Sequence, residues 1–254
     1  MAEEFDFSGT TILVTGAASG IGAATGRWLA AHGAQRLVLV DRGAELLVPA
    51  QFGCAVEAFA GDVGDPALWD RLEREAPGLD HAVLNAGISS GGAIADCSFE
   101  EWRRVMTTNL DGAFLSLRTA LRKVRDGGSI VLTSSVSGLK AEPGTAAYGA
   151  SKAAVIQLAK VAAREAAPRR VRVNAIAPGG VDTPIWDQAP FFQDLVKQHG
   201  GDRTAALTAM AGMATPLGRF ATADEIARQI GFLLSDLAAM TTGTVLITDG
   251  GYSV

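Results

Sequence analysis

Basic clusters, metal-ligand spacings and apolar runs of membrane length are all missing from this chain of 254 residues. The formal charge is −5 and the pI about 5.2, which leaves no positive footprint for nucleic acid or an anionic membrane surface. His32, His81 and His199 fall at no metal-ligand spacing, so no metal is expected. Cys54 and Cys97 are the only cysteines, and without a signal sequence they read as reduced, buried thiols. The start, Met1 to Phe7, is acidic and lacks the charged-then-apolar layout of a secretory signal. No apolar run reaches the roughly 18 residues a membrane helix needs. A cytoplasmic protein is expected, with neither nucleic acid nor membrane as partner.

What is present is a globular composition, 48% hydrophobic and 19% charged, with thirty glycines that suit many tight strand–helix turns. The length fits a single domain over 1–254. Strands are expected at 11–15, 36–41, 54–60, 80–85, 128–134, 171–176 and 244–248, and helices at 20–32, 65–76, 99–125, 147–166 and 223–235. This alternation predicts an α/β fold: one doubly wound, Rossmann-like domain with a seven-stranded parallel sheet and helices on both faces. Ser98-Phe99-Glu100-Glu101 and Thr222-Ala223-Asp224-Glu225 both have the layout of a capping box. In such sheets ligands bind beyond the carboxyl ends of the strands, where strand order reverses.

The polar motifs fall on that edge. Thr10 to Thr15, then Gly16-Ala17-Ala18-Ser19-Gly20-Ile21-Gly22, then an apolar-periodic run, reads as strand, glycine turn and helix. A helix start carries unpaired N–H groups and partial positive charge, so glycines that let a pyrophosphate approach make an anion site there. Asp41 ends the second strand and stands where a dinucleotide site places its acceptor for ribose hydroxyls. A 2′-phosphate would be repelled by that carboxylate, which favours NAD over NADP; Arg42 keeps the alternative open, because its guanidinium can turn toward a phosphate.

Tyr148 and Lys152 are four residues apart on an expected helix and share a face, with Ser135 upstream. A phenol ionises near pH 10. A cation about 4 Å away contributes roughly 4 kcal/mol at an effective dielectric near 20, enough to lower the phenol by up to about 3 pH units. The pair is therefore a candidate general acid/base. Ser135 lies in the run Thr133-Ser134-Ser135-Val136-Ser137, where hydroxyls are abundant.

Taken together these motifs resemble the short-chain dehydrogenase/reductase family over essentially the whole chain. Thr15 to Gly22 is similar to its TGxxxGxG coenzyme turn, through Gly16, Ser19, Gly20, Ile21 and Gly22. Asp62, followed by Val63, resembles the acidic residue that fixes the adenine. Asn85-Ala86-Gly87 resembles the NNAG element, with Leu84 in place of the first Asn. Asn109 to Gly112 resembles the NxxG segment, in which Asn interrupts a long helix and holds a water linked to the lysine. Pro178, Gly179, Val181 and Thr183 lie in a stretch similar to PGxVxT, which meets the nicotinamide carboxamide, and Thr242 to Gly251 resembles the closing strand of a tetramer interface.

The resemblance implies an NAD-dependent oxidoreductase and a homotetramer, with Asn109, Ser135, Tyr148 and Lys152 as active-site residues. Tyr148 exchanges a proton with the alcohol or ketone, Ser135 steadies the substrate oxygen, Lys152 tunes the phenol and holds the cofactor ribose, and Asn109 relays protons. Residues 184–215, with Trp186, Phe191, Phe192, Met210 and Met213, are expected to form a lid over an apolar, alicyclic or aromatic substrate; packing of these side chains against the body or another subunit is the alternative. Two rival functions are a non-catalytic NAD sensor, which has no need of all four active-site residues, and an NAD-retaining epimerase, for whose sugar-nucleotide domain the chain has little room.

Overall fold

The run Ile12-Leu13-Val14 is fully buried because helices cover both faces of the strand that carries it. Alternate residues serve opposite sides: Leu13, Val38 and Val40 pack into one core, and Ile12, Val14, Leu37 and Leu39 into the other. The computed structural model describes residues 5–43, 51–187 and 189–254. Most of the expected acidic start, Met1 to Glu4, lies outside the described residues, as does one residue of the expected lid, Gln188.

In chain order the elements are β1 (Thr11–Thr15), α1 (Gly20–Ala31), β2 (Arg36–Asp41), β3 (Ala55–Ala60), α2 (Pro66–Glu75), β4 (Leu79–Leu84), α3 (Phe99–Met106) and α4 (Gly112–Lys123). They continue as β5 (Val124–Thr133), α5 (Ala146–Ala166), β6 (Arg172–Pro178), β7 (Val181–Asp182), α6 (Pro190–Gln198), α7 (Arg203–Ala214), β8 (Ala221–Thr222), α8 (Ala223–Leu234) and β9 (Val245–Thr248). The seven-stranded sheet has the order β3-β2-β1-β4-β5-β6-β9 and is parallel throughout. Strand order reverses between β1 and β4, which opens the crevice where the motifs lie. A separate parallel pair, β7 with β8, closes the base of the long excursion that carries α6 and α7.

Three expectations need correction. The single helix over 99–125 is instead α3 and α4, joined by a π-helical turn at Thr107–Asp111, and β5 already begins at Val124. One extra residue in that turn is how Asn109 comes to point inward, and single π turns of this kind recur at functional sites. The capping box at Ser98 is half made: Ser98 Oγ accepts from Glu101 N at 3.1 Å, but the Glu101 carboxylate is taken by Arg104 at 2.6 and 2.7 Å. Thr222 and Glu225 form the complete box. Cys54 and Cys97 are free thiols but half-buried rather than fully buried.

Candidate active site

The cofactor end is built on the turn between β1 and α1. Gly16 and Gly20 have φ of +66° and +52°, a region that side chains disfavour. Gly22 is tighter still, since a Cβ there would lie 2.0 Å from the Gly16 carbonyl oxygen. Ser19 caps α1 without a side-chain hydrogen bond and no acidic residue occupies the first turn, so among the described residues no carboxylate claims the donors of this helix start. Asp41, at the end of β2, accepts from Ala18 N at 2.9 Å and Gly43 N at 3.0 Å, holding the glycine turn against its own strand. These residues fit a dinucleotide: a cradle that a Cβ would fill, free donors for a pyrophosphate and a carboxylate at the ribose position.

Arg42 turns to Asp62, with 3.7 Å between its Nη1 and the carboxylate, and Asp62 also accepts from Gly64 N at 2.9 Å. The Val63 side chain is buried in the core, and its carbonyl accepts from Trp69 Nε1 at 2.7 Å. Thr15 does more than the motif reading gave it: its hydroxyl accepts from Asn85 N and Ala86 N at 2.9 and 3.0 Å, tying β1 to the end of β4.

At the catalytic end, the Ser135 side chain stands beside the Tyr148 phenol, and its Oγ accepts from Ser137 N at 3.2 Å. Ser134 donates instead to the Lys152 carbonyl at 2.8 Å. Lys152 is 4% exposed; its Nζ donates to the Thr133 carbonyl at 3.0 Å and lies 5.7 Å from the Tyr148 ring centre. Gly87 is the close-approach point, since a Cβ there would sit 3.1 Å from Lys152 Nζ and 3.4 Å from Asn109 Oδ1. Asn109 is buried, donates to the Ile88 carbonyl at 2.9 Å and Ser151 Oγ at 3.1 Å, and accepts from Ile88 N at 2.8 Å. Ser151, which donates in turn to the Tyr148 carbonyl at 2.7 Å, was not foreseen; its place one turn beyond Tyr148 was the available signal.

The electrostatics correct one expectation. Burial pushes the Tyr148 phenol above its ordinary value, opposed by the neighbouring Ser135 hydroxyl. The expected lowering by Lys152 is not what this arrangement gives, because the ammonium lies beside the ring and is committed to the Thr133 carbonyl. Burial also lowers Lys152 to about 8, so it remains mostly cationic at neutral pH.

The far wall runs from Pro178 to Thr183. Gly179 N donates to the Thr248 carbonyl at 2.9 Å, Val181 and Thr183 are buried, and the Thr183 side chain faces Gly20 across 3.3 Å measured from an ideal Cβ. Arg203, opening α7, reaches Asp182 and Asp187 at 2.7 Å each and the Thr183 carbonyl at 3.0 Å. Within the excursion Trp186 stacks on Phe220 at 5.8 Å, while Phe192 and Met210 join a small core of their own. Phe191 and Met213 are exposed. Among the described residues no group of His, Cys, Asp and Glu has metal-holding geometry, and no helix is long and apolar enough to cross a membrane.

A dinucleotide cradle and a Ser–Tyr–Lys cluster on one sheet edge define a nicotinamide-dependent oxidoreductase. The chain belongs to the short-chain dehydrogenase/reductase family; the family model described as enoyl-(acyl carrier protein) reductase matches residues 16–253. It is similar to cis-4-hydroxycyclohexanecarboxylate dehydrogenase of Sinomonas cyclohexanicum, 37% identical over 97% of this chain and 98% of the relative. D-threitol dehydrogenase of Mycolicibacterium smegmatis is 38% identical over 100% of this chain and 97% of its own length. Among solved structures, L-sorbose reductase of Gluconobacter frateurii, complexed with NADPH and L-sorbose, superposes with a TM-score of 0.89 at 30% identity, covering 97% of each chain.

Proposed function

We propose that the protein interconverts a secondary alcohol and a ketone on an apolar, alicyclic ring, using NAD(H), with Tyr148 as the acid/base. The Ser135 side chain beside the Tyr148 phenol, set with Lys152 and Asn109 at the same edge as the glycine cradle, carries this reading. Bound nicotinamide supplies the hydride acceptor or donor. Gly16, Ser19, Gly20, Ile21, Gly22, Asp41, Asp62, Val63, Asn85, Ala86, Gly87, Pro178, Gly179, Val181 and Thr183 would line its site, and Lys152 would hold a ribose hydroxyl. In oxidation the Tyr148 phenolate takes the alcohol proton at its oxygen; in reduction the phenol gives it back. Ser135 Oγ donates to the substrate oxygen as charge develops there. A cavity of about 10 Å³, bounded by Thr15, Asn109, Thr133 and Lys152, has room for one water and supports a proton path from Lys152.

A relative that acts on a hydroxycyclohexane ring supports the alicyclic substrate. The excursion over 184–215 would serve as the lid, with exposed Phe191 and Met213 available to an apolar ring. Incubation with a panel of alicyclic alcohols and NAD tests the reading: release of NADH is expected. Cofactor retained without net reduction would instead mark an epimerase, and silence across the panel a sensor.

Asp41 and the Arg42–Asp62 pair support NAD, because the carboxylate repels a 2′-phosphate and the cation is already engaged. NAD is expected to give at least about a tenfold higher kcat/KM than NADP, and Asp41→Ala to narrow that gap; a wild-type preference for NADP contradicts the assignment. Because burial raises Tyr148, the base form is scarce at neutral pH. Oxidation is therefore expected to accelerate as pH rises from 6 to 10 and reduction to slow. A flat profile in a chemistry-limited assay contradicts it. Exposed Phe114 on α4, Val161 on α5 and Ile247 on β9 support a homotetramer, and two unpaired thiols support a cytoplasmic location.

A further inference from the structure

Lys140 and Glu142 lie on the segment that links Ser135 to Tyr148, and Tyr252 lies in the carboxyl-terminal tail. The Lys140 ammonium donates to the Tyr252 carbonyl at 2.9 Å, sits 4.1 Å from the centre of the Tyr252 ring and pairs with Glu142 at 3.4 Å. The Glu142 carboxylate also lies close to the Tyr252 side chain. Burial and this carboxylate push the Tyr252 phenol up to about 12, so it stays a donor throughout the neutral range. Asp249 shapes the tail by accepting from Gly251 N at 2.9 Å and Ser253 N at 2.8 Å.

Across the segment, Gly92 N donates to the Gly144 carbonyl at 3.0 Å, fixing it to the loop after β4. Within the segment, 136–138 packs against α5, while the stretch from Lys140 to Gly144 is tied at one end to the last few residues of the chain and at the other to the loop after β4. A single exposed ion pair holds little. Here one cation meets a carbonyl, a ring and a carboxylate together.

We propose that Lys140, Glu142 and Tyr252 are positioning residues, a latch through which the tail holds the Ser135–Tyr148 segment in register with the alcohol. The inference rests on the roles proposed above for Ser135 and Tyr148. In the full chain, Tyr252→Ala is expected to speed amide hydrogen exchange in residues 136–145 at least about tenfold and to leave β1 and α1 unchanged. Alcohol kcat/KM falls about tenfold while the Kd for NADH stays within about twofold. Tyr252→Phe, which keeps the ring and loses only the hydroxyl, gives a smaller loss of the same kind. Lys140→Met reproduces the defect, and Lys140→Arg, which keeps a cation, recovers most of it.

Unchanged exchange in 136–145 overturns the latch whether or not the protein oxidises any alcohol, which separates this failure from failure of the dehydrogenase reading. Faster exchange with unaltered alcohol kinetics overturns it too. So does a parallel loss of NADH affinity, the mark of general damage.

Discussion

Tyr148→Phe is expected to lower turnover by about a thousandfold, inside the range that positioned acid/base groups contribute, while NADH affinity stays within about twofold. The ring remains, and with it the packing against Lys152. What disappears is the phenolic oxygen that stands beside Ser135 and is placed to exchange the proton. Ser135 cannot substitute, since a serine hydroxyl is far too weak an acid, and the Lys152 ammonium faces the Thr133 carbonyl and the water-sized cavity behind it. Single-turnover rates and a fluorescence titration with NADH check the two halves separately. Normal turnover removes Tyr148 as acid/base; lost NADH affinity with unchanged single-turnover chemistry makes it a cofactor-binding residue alone.

Gly22→Ala is expected to abolish measurable NADH binding and to lower the melting temperature. The added Cβ would fall 2.0 Å from the Gly16 carbonyl oxygen and 2.9 Å from Asn85 Nδ2. A backbone oxygen cannot rotate aside as a side chain can, so the glycine turn itself has to move. Overpacking of this kind costs about 1–3 kcal/mol, and for a domain of this size each kcal/mol shifts the melting temperature by roughly 2–4 °C. The displaced turn also carries Ala18, whose N–H is bonded to Asp41, so the anion cradle and the ribose carboxylate lose their register together. Thermal melts and NADH titration decide the matter. A variant that melts and binds like the wild type would mean that the turn is not the cofactor cradle.

The sheet was legible because its central strands are covered on both faces, so each of those appears as a short apolar run; β1, β2 and β3 begin and end within one residue of expectation. The strand-edge motifs were legible for the same reason, since polar residues directly after such runs have one place to go. The π-helical turn at Thr107–Asp111 was not legible, because α- and π-turns share hydrophobic patterning and differ by one residue of advance. Nor was the sign of the Tyr148 shift. The i and i+4 spacing places Lys152 on the right face, but only packing decides that its ammonium reaches Thr133 and that burial outweighs it. Contacts between distant parts of the chain, such as Lys140 with Tyr252, leave no local pattern at all.

Hydride transfer itself can be followed with cyclohexanol that carries deuterium at the carbinol carbon. Mixed with the wild-type protein and NAD, it is expected to yield NADH heavier by one deuterium, at a rate that climbs with pH and collapses in Tyr148→Phe. Reduced cofactor without the label, or a label transferred equally fast by the phenylalanine variant, would contradict the account.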